Sequence, residues 1–159
     1  MTVWDAVSTG FVGNFVPSGE ERVGLGVMNK LSEEDIQWRI NRMWEVLKSL
    51  GPQSWRQSSN SDLTQQFQKR PFVDLSTGEQ RMVLLMRALV GRPRLVLLDE
   101  VWSGMDEVMV SAAREYLRNG GVENDQAVVV ISHWVEEVPW RSEDGVKRFL
   151  LKDGQGRVS

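Results

Sequence analysis

Apolar residues recur with helical spacing in three stretches of this chain. Ser32, Ser76 and Asp106 each precede one of these stretches, and their side chains are suited to capping a helix N-terminus. The first predicted helix ends at Gly51-Pro52 and the third at Asn119-Gly120-Gly121, because glycine and proline stop helices. The predicted apolar faces are Ile36, Ile40, Met43, Trp44, Leu47 and Leu50 in the first helix, Met82, Leu85, Met86 and Leu89 in the second, and Met109, Ala112, Ala113, Tyr116 and Leu117 in the third.

Two short runs are apolar throughout and predict strands. They cover residues 95–99, where LVLL is followed by acids, and residues 127–131, which read AVVVI. Such runs are typical of strands that a parallel sheet buries on both faces. Because one predicted helix lies between them, the crossover makes the two strands parallel neighbours. Residues 147–151 and 157–158 predict a terminal hairpin across Asp153-Gly154-Gln155-Gly156.

The other segments carry weaker signals. Residues 2–12 are mildly helical, and the glycine- and proline-rich segment from 13 to 26 predicts a loop. Residues 53–70 are rich in serine and glutamine, which predicts loop with short helical turns. Gly91 and Pro93 separate the second helix from the first strand. We therefore expect a helical subdomain over about residues 1–92 and a sheet-containing half over about 93–159.

Composition narrows the class of protein. A chain of 159 residues with 41% hydrophobic residues suffices for one packed domain. The net charge of −3 and the pI near 5.3 provide no basic surface, so no nucleic-acid partner is expected, and Gln68-Lys69-Arg70 is interpreted as a solvated face. The absence of cysteine excludes disulfides and thiolate metal sites. No apolar run approaches the roughly twenty residues of a membrane span, so any membrane contact is expected through a partner.

The seven tryptophans suggest base stacking at first sight. On helices at this spacing they are more often residues of a core or of an interface between subdomains. We therefore expect packing roles for them.

The start of the second helix is the first candidate site. Ser76 and Glu79 are three residues apart and predict a capping box, while Gly78 leaves the backbone of the first turn open to a close approach. The free amides and the positive dipole end of such a turn suit a phosphate. Taken alone, this pattern fits an ordinary capped core helix better.

The end of the first strand is the second candidate site. Asp99 and Glu100 would emerge at the carboxyl edge of a parallel sheet, where one acid can hold magnesium and the next can orient a water. His133 follows the second strand and would reach the same edge. Solvated acids at a strand end are an equal alternative, and a lone histidine is more often structural.

The order of four motifs favours a functional site over a purely structural role for these residues. They are LSTGEQ at 75–80, LVLLDE at 95–100, SGMD at 103–106 and SHW at 132–134. Together they resemble the signature motif, Walker B motif, D-loop and H-loop of ABC-type ATPases. The segments VSTGFVGNFV and SHWVEEVP favour the tandem ATPases related to molybdate transport. The sequence departs from the family at Val101, where proline is usual, and at Thr77, where glycine is usual.

The resemblance implies an α/β fold, in which a helical subdomain adjoins part of a parallel sheet like that of P-loop NTPases. It also implies ATP and Mg²⁺ as cofactors. Asp99 would hold Mg²⁺ through water, Glu100 would polarise the attacking water, and His133 would contact the γ-phosphate. Two domains pair head to tail in this family, so the signature motif would serve ATP bound to a second subunit. The residues expected at that interface are Ser76, Thr77, Gly78, Glu79, Gln80, Ser103 and Asp106.

One part of the expected machinery is missing. No glycine of the chain begins a G-x-x-x-x-G-K-[ST] loop, and no Gly-Lys pair occurs, so the phosphate cradle is absent from this sequence. Two main hypotheses follow: the chain is the C-terminal part of an ABC-type ATP-binding domain, or it is a non-catalytic module that regulates a partner ATPase. A nucleic-acid or purely structural helical protein is a more distant third.

The expected partners are a second ABC ATP-binding domain and a membrane transport subunit. The expected location is intracellular, in the cytoplasm or a mitochondrion, because residues 1–10 lack the features of a signal peptide. Without the strand that leads into the cradle, the strand at 127–131 should have an open edge. The isolated chain should then be marginally stable or prone to associate, unless the terminal hairpin covers that edge.

Overall fold

A computed structural model describes residues 1–11, 31–56, 62–141, 144–152 and 155–158. The segment from 13 to 26, for which the sequence predicts a loop, lies outside the described residues. The helices are α1 (Val3–Ser8), α2 (Glu33–Leu50), α3 (Pro52–Trp55), α4 (Leu63–Lys69), α5 (Thr77–Val90) and α6 (Glu107–Tyr116). The strands are β1 (Leu95–Asp99), β2 (Ala127–Ile131), β3 (Phe149–Lys152) and β4 (Gln155–Val158). Short 3₁₀ turns cover Phe72–Asp74 and Val135–Glu137, and a π-helical turn covers Leu117–Gly121.

The helices begin where the sequence predicts. Ser32 and Ser76 form capping boxes with the third residues of α2 and α5, and Asp106 caps α6 by accepting a hydrogen bond from Met109 N at 2.8 Å. The third helix ends in the π-helical turn, where Gly120 has a φ of +99° that favours glycine. The polar segment 53–70 contains the short helices α3 and α4 on either side of residues 57–61.

The hydrophobic core lies among the helices. Most of its fully buried side chains come from α1, α2 and α5, and they include Val3, Val7, Met43, Val46, Leu47, Leu50, Met82, Leu85 and Met86. Helix α5 contacts α1, α2 and α6, so it is the central element of this layer. Burying these side chains fixes the position of the first turn of α5, because that turn is continuous with the packed face.

Strands β1 and β2 are parallel neighbours, as the crossover argument predicts. Leu95 pairs with Ala127 and Asp99 with Ile131, so the carboxyl ends of both strands meet at one edge. The α/β fold with a helical layer and a parallel sheet is confirmed.

The prediction that the strands are buried on both faces is wrong. Val96 and Leu98 point into the core and are 2% and 3% exposed, whereas Leu97 on the other face is 64% exposed. On β2, Val129 and Ile131 are also exposed. The described helices pack against only one face of the sheet, and the described part of the chain contains nothing that covers the other.

The open edge of β2 is confirmed among the described residues. Strands β3 and β4 pair with each other as an antiparallel hairpin, in which Phe149 lies opposite Val158 and Lys152 opposite Gln155. This hairpin forms a separate two-stranded sheet and does not join β2. As far as the described residues go, the outer face and the free edges of the β1–β2 sheet are therefore open to another polypeptide.

The exposed sheet face leads to a prediction about association. We expect the purified chain to self-associate with rising concentration, because an exposed apolar face with open strand edges favours pairing. The substitution Leu97→Lys should shift the chain toward monomer in sedimentation velocity. Val73→Lys is the matched control, because Val73 is 80% exposed and belongs to the 3₁₀ turn Phe72–Asp74 and not to the sheet. Equal effects of the two substitutions would show that the sheet face does not drive association.

Candidate functional site

The first turn of α5 is held by its capping box. The Glu79 backbone N–H donates to Ser76 Oγ at 3.3 Å, and the Ser76 backbone N–H donates to Glu79 Oε2 at 3.0 Å. Ser76 and Thr77 are exposed at the surface, whereas Gly78 and Glu79 are buried. The turn thus presents a hydroxyl group and the N-terminal end of a helix to its surroundings.

Gly78 is required by the protein's own packing. A Cβ at this position would lie 2.7 Å from the Gly104 carbonyl oxygen and 3.2 Å from Met109 Sδ. The sequence interpretation left this space for an approaching ligand, but the loop at residues 103–105 fills it. Gly78 therefore joins the first turn of α5 to the loop that follows β1.

Glu79 carries two arginine contacts in addition to the capping box. Its Oε1 lies 2.9 Å from Arg56 Nη2 and 2.9 Å from Arg70 Nη1, and its side chain is 7% exposed. Burial alone raises the pKa of Glu79, but the hydrogen bond from Ser76 N–H and the positive charges of Arg70 and Arg56 outweigh it. The pKa of Glu79 consequently lies below its ordinary value of 4.5.

Gln80 and Thr77 complete the turn. The Gln80 side-chain amide donates to the carbonyl oxygens of Leu75 at 3.2 Å and Phe72 at 3.4 Å, so it braces the 3₁₀ turn that leads into α5. The Thr77 methyl group lies 2.9 Å from where a Cβ on Gly104 would stand. Both residues have structural partners within the chain.

The second part of the site lies at the carboxyl edge of the sheet. Glu100 directly follows β1 with a φ of +44°, and its backbone N–H donates to Ile131 O at 3.0 Å. This left-handed conformation is uncommon for a residue with a side chain, and such residues occur often at functional sites. Glu100 Oε1 lies 2.8 Å from His133 Nε2, and both side chains are largely exposed. The sequence prediction that these two residues leave the same edge is confirmed.

The loop at 103–106 connects the two parts. Ser103 N–H donates to Glu100 O at 3.1 Å, and Gly104 takes a φ of +81° as the loop turns toward Thr77 and Gly78. Asp106 then caps α6. Ser103 and Gly104 thus lie between the sheet edge and the first turn of α5.

Asp99 is the candidate metal ligand. It is exposed at the end of β1, and no group of three or more His, Cys, Asp or Glu in the described ranges could hold a metal ion. A single carboxylate fits Mg²⁺ only when water and phosphate oxygens complete the coordination shell. The donor set therefore fits a metal that arrives with a nucleotide, and not a metal held by this chain alone.

Two hollows of the described surface, of about 260 and 560 Å³, lie outside the site. The smaller adjoins Trp44 and Lys48, and the larger runs along α6 beside Arg114 and Arg118. Neither includes a residue from the sheet edge or from the first turn of α5. Ser76, Asp99, Glu100 and His133 are all exposed at the surface.

Two residues of the site were missed or misjudged from the sequence. Arg70 was interpreted as part of a solvated face, and Arg56 was not singled out, yet both pair with Glu79. No local pattern marks these contacts, because the partners are 23 and 9 residues apart. The available signal in the sequence was Glu79, an acid at the third position of a capped helix, with arginines in the segment before it.

The tryptophans have mixed roles. Trp55 and Trp102 are buried, which agrees with the expected packing role. Trp38 and Trp134 are 42% and 67% exposed, although Trp38 packs edge-on against Phe11. Trp38 and Trp134 are therefore not core residues.

The depressed pKa of Glu79 leads to a pH prediction. A carboxyl group with a folded-state pKa below its unfolded value stabilises the fold above the unfolded pKa and loses that contribution as pH falls through the folded value. The difference in unfolding free energy between the parent and Glu79→Gln should therefore narrow as the pH falls through and below 4.5, the ordinary pKa of glutamate. Urea unfolding of both proteins at a series of pH values measures this difference in free energy. A difference that stays constant over this range would contradict the ion-pair assignment.

None of the helices in the described part of the chain has both the length and the apolar character that a bilayer crossing needs.

Comparison with known proteins identifies related sequences. Residues 18–103, more than half of the chain, match the family model described as ABC transporter. An uncharacterised ABC transporter ATP-binding protein of Schizosaccharomyces pombe is 44% identical over 70 residues, which cover 44% of this chain and 14% of that protein. A Methanosarcina acetivorans ABC transporter ATP-binding protein is 27% identical over 140 residues, which cover 87% of this chain and 37% of that protein. ModF of Escherichia coli is 36% identical over 69 residues, which cover 43% of this chain and 14% of that protein.

Solved structures show the same fold. An inward-facing metal-chelate type ABC transporter superposes with a TM-score of 0.62 at 20% identity, covering 100% of this chain and 52% of the other. A dimeric ATP-binding cassette in a post-hydrolysis state with ADP and phosphate gives a TM-score of 0.55 at 23% identity, covering 80% and 49%. The chain thus spans about half of these structures and less of the three sequence relatives.

Proposed function

The chain belongs to the ABC transporter family, and we propose that it supplies one part of a composite ATP-hydrolysing site whose phosphate cradle lies on another polypeptide segment. The observation that carries this proposal is the 2.8 Å contact between Glu100 and His133 at the carboxyl edge of two parallel strands. A carboxylate in that position can accept a proton from an attacking water, and the histidine can hold the carboxylate or a phosphate oxygen.

The proposed roles follow the two parts of the site. At the sheet edge, Asp99 holds Mg²⁺ through water, Glu100 orients the attacking water, and His133 contacts the γ-phosphate. When ATP and Mg²⁺ are bound, the metal supplies charge neutralisation for phosphoryl transfer. The first turn of α5 serves ATP seated on a second ATP-binding domain, with Ser76 and the Gly78 amide facing the γ-phosphate. Thr77, Glu79 and Gln80 shape that turn, and Ser103 and Asp106 border the same interface.

The exposed sheet surface supports the composite arrangement. Leu97 and Val129 are exposed on a face that the described helices leave uncovered, and β2 has an open edge. A segment carrying a strand and a Gly-rich loop would cover this surface and bring the cradle to Asp99 and Glu100. The proposed division of the chain is a helical subdomain over about residues 1–92 and a catalytic-core half over about 93–159.

The proposed partners are a second ABC ATP-binding domain and, for the whole protein, a membrane transport subunit in the cytoplasmic setting of such systems. The acidic net charge of −3 does not favour nucleic acid. The relation to the molybdate-related ATPases is supported by the similarity to ModF.

The experiment compares the purified chain alone with the chain plus a half-domain that carries a G-x-x-x-x-G-K-[ST] loop, taken from an ABC relative. Calorimetry with Mg-ATP and a phosphate-release assay are the measurements. We expect neither micromolar binding nor turnover by the chain alone, because Asp99 and Glu100 act only on phosphates that another group holds. Turnover should appear with the added half-domain. Micromolar binding and turnover by the chain alone would overturn the composite site.

The alternative function is regulation of a partner ATPase without hydrolysis at the sheet edge of this chain. The exposed turn of α5, complete with its capping box, is the observation that favours it. In that case an intact ABC ATP-binding domain should be stimulated by the chain even when Glu100 is replaced by glutamine. Sensitivity to Glu100→Gln separates the two functions.

Substitution of Ser76 by alanine tests the signature turn. Loss of the cap should lower the unfolding free energy by about 1 kcal/mol, and in an active assembly it should also lower turnover through the lost phosphate contact. Ser32→Ala is the matched control, because Ser32 forms the equivalent capping box at the start of α2. It should cost a similar stability and leave turnover unchanged. Equal turnover in both variants would restrict Ser76 to its capping role.

A further inference from the structure

We propose that Arg56 and Arg70 are positioning residues that hold the first turn of α5 in its phosphate-facing geometry by clamping Glu79. This inference rests on the proposed function, since it concerns the turn that would face the γ-phosphate. Neither arginine belongs to the four motifs, and both lie in the polar segment between the first two long helices.

The contacts form a closed set around one carboxylate. Glu79 Oε1 accepts from Arg56 Nη2 and from Arg70 Nη1, each at 2.9 Å, while Oε2 accepts from the Ser76 backbone N–H at 3.0 Å. The Glu79 side chain is 7% exposed, whereas Arg56 and Arg70 are 51% and 37% exposed, so the carboxylate is shielded from water while the two guanidinium groups remain partly in contact with it. The carboxylate consequently has one orientation, and this orientation fixes the backbone of Ser76.

The two arginines anchor the turn to three other elements. Arg56 caps the carboxyl end of α3, and Arg70 caps that of α4. Arg70 Nη2 also donates to Asp74 O at 3.1 Å. The backbone carbonyl of Arg70 accepts a hydrogen bond from Val3 N–H at 3.0 Å. The start of α5 is therefore tied to α1, α3 and α4 and not only to its own cap.

A capping box does not need such a clamp. At the start of α2, Ser32 and Asp35 form the same reciprocal bonds while Asp35 is exposed. The extra arginines at α5 thus serve something other than helix initiation.

Charge provides the reason. A bare carboxylate at this turn would repel a phosphate, because like charges in a partly buried site are costly. Two guanidinium groups against one carboxylate give these three side chains a net positive charge, which adds to the helix dipole. The clamp thereby makes an acidic residue compatible with an anion-facing helix start.

The first measurement uses the isolated chain. In Arg70→Met and Arg56→Met, amide hydrogen exchange of Ser76 and Glu79 should accelerate about tenfold, while amides in the middle of α2 keep their rates. Arg70→Lys should recover part of the protection, since a lysine reaches one of the two acceptors of Arg70. Arg81→Met is the control, because Arg81 is an exposed arginine on α5 itself. Unchanged exchange at Ser76 and Glu79 would overturn the clamp.

The second measurement uses the chain with its P-loop-bearing half-domain. Arg70→Met should lower kcat about fivefold and change the KM for ATP less than about twofold, because the cradle and not this turn dominates ATP binding. Faster exchange with unchanged kcat would overturn the phosphate-facing role while leaving the clamp. If the parent assembly shows no turnover, the proposed function fails, and the exchange data still decide whether the clamp exists.

Discussion

Replacing Glu100 by glutamine should reduce ATP turnover of the complemented assembly by about 10²- to 10⁴-fold, the range that a positioned general base contributes. Glutamine has nearly the same shape but takes no proton from water. The 2.8 Å contact to His133 shows that the Glu100 side chain already lies at the sheet edge where the reacting water would stand. Phosphate release under saturating Mg-ATP measures the loss, and circular dichroism checks that the fold persists.

Glu34→Gln is the control for this substitution. Glu34 is an exposed glutamate in the first turn of α2 and lies outside the site, so turnover should stay within about twofold of the parent. ATP binding by the Glu100→Gln assembly should persist, because Glu100 acts on the water and not on the nucleotide. Full turnover in Glu100→Gln would remove Glu100 from the chemistry and leave the regulatory alternative.

Gly78→Ala should destabilise the fold by about 1–3 kcal/mol, the usual cost of overpacking. The added Cβ would lie 2.7 Å from the Gly104 carbonyl oxygen, a backbone atom that a side-chain rotation cannot relieve. The first turn of α5 and the loop at 103–105 must then move apart. Urea denaturation gives the stability, and amide chemical shifts of Gly104 and Met105 report the displacement.

Arg81→Ala is the matched substitution on the same helix. Arg81 is exposed one turn along α5, and alanine favours helix, so its stability should stay within about 0.5 kcal/mol of the parent. If Gly78→Ala were as stable as Arg81→Ala and left the Gly104 signals in place, the close packing of the two glycines would be contradicted. In an active assembly, the same displacement should lower turnover, because it separates the signature turn from the sheet edge.

The loop at residues 103–105 connects the two parts of the site. Gly104 lies between Glu100 and Gly78 in a loop of only a few residues. Direct backbone packing therefore connects the sheet edge to the first turn of α5.

The sequence by itself determined the local elements and the order of the chemical groups. Ser32, Ser76 and Asp106 mark helix starts because a capping contact joins residues only three positions apart, so the local sequence encodes it. The parallel pairing of β1 and β2 followed from strand, helix and strand in succession. The meeting of Glu100 and His133 followed from that pairing, since parallel strands bring their carboxyl ends to one edge.

The tertiary structure alone decided which surfaces are filled and which are open. An apolar run such as residues 95–98 carries no information about whether a second layer is present, and here one face of the sheet stays exposed. From the sequence, the space beside the Gly78 Cα could hold either a ligand or a neighbouring backbone. Only the packed structure shows that the Gly104 carbonyl group occupies it. Arg56 and Arg70 resemble solvated cations until the helices fold together, because their long side chains reach Glu79 across distances that no local pattern encodes.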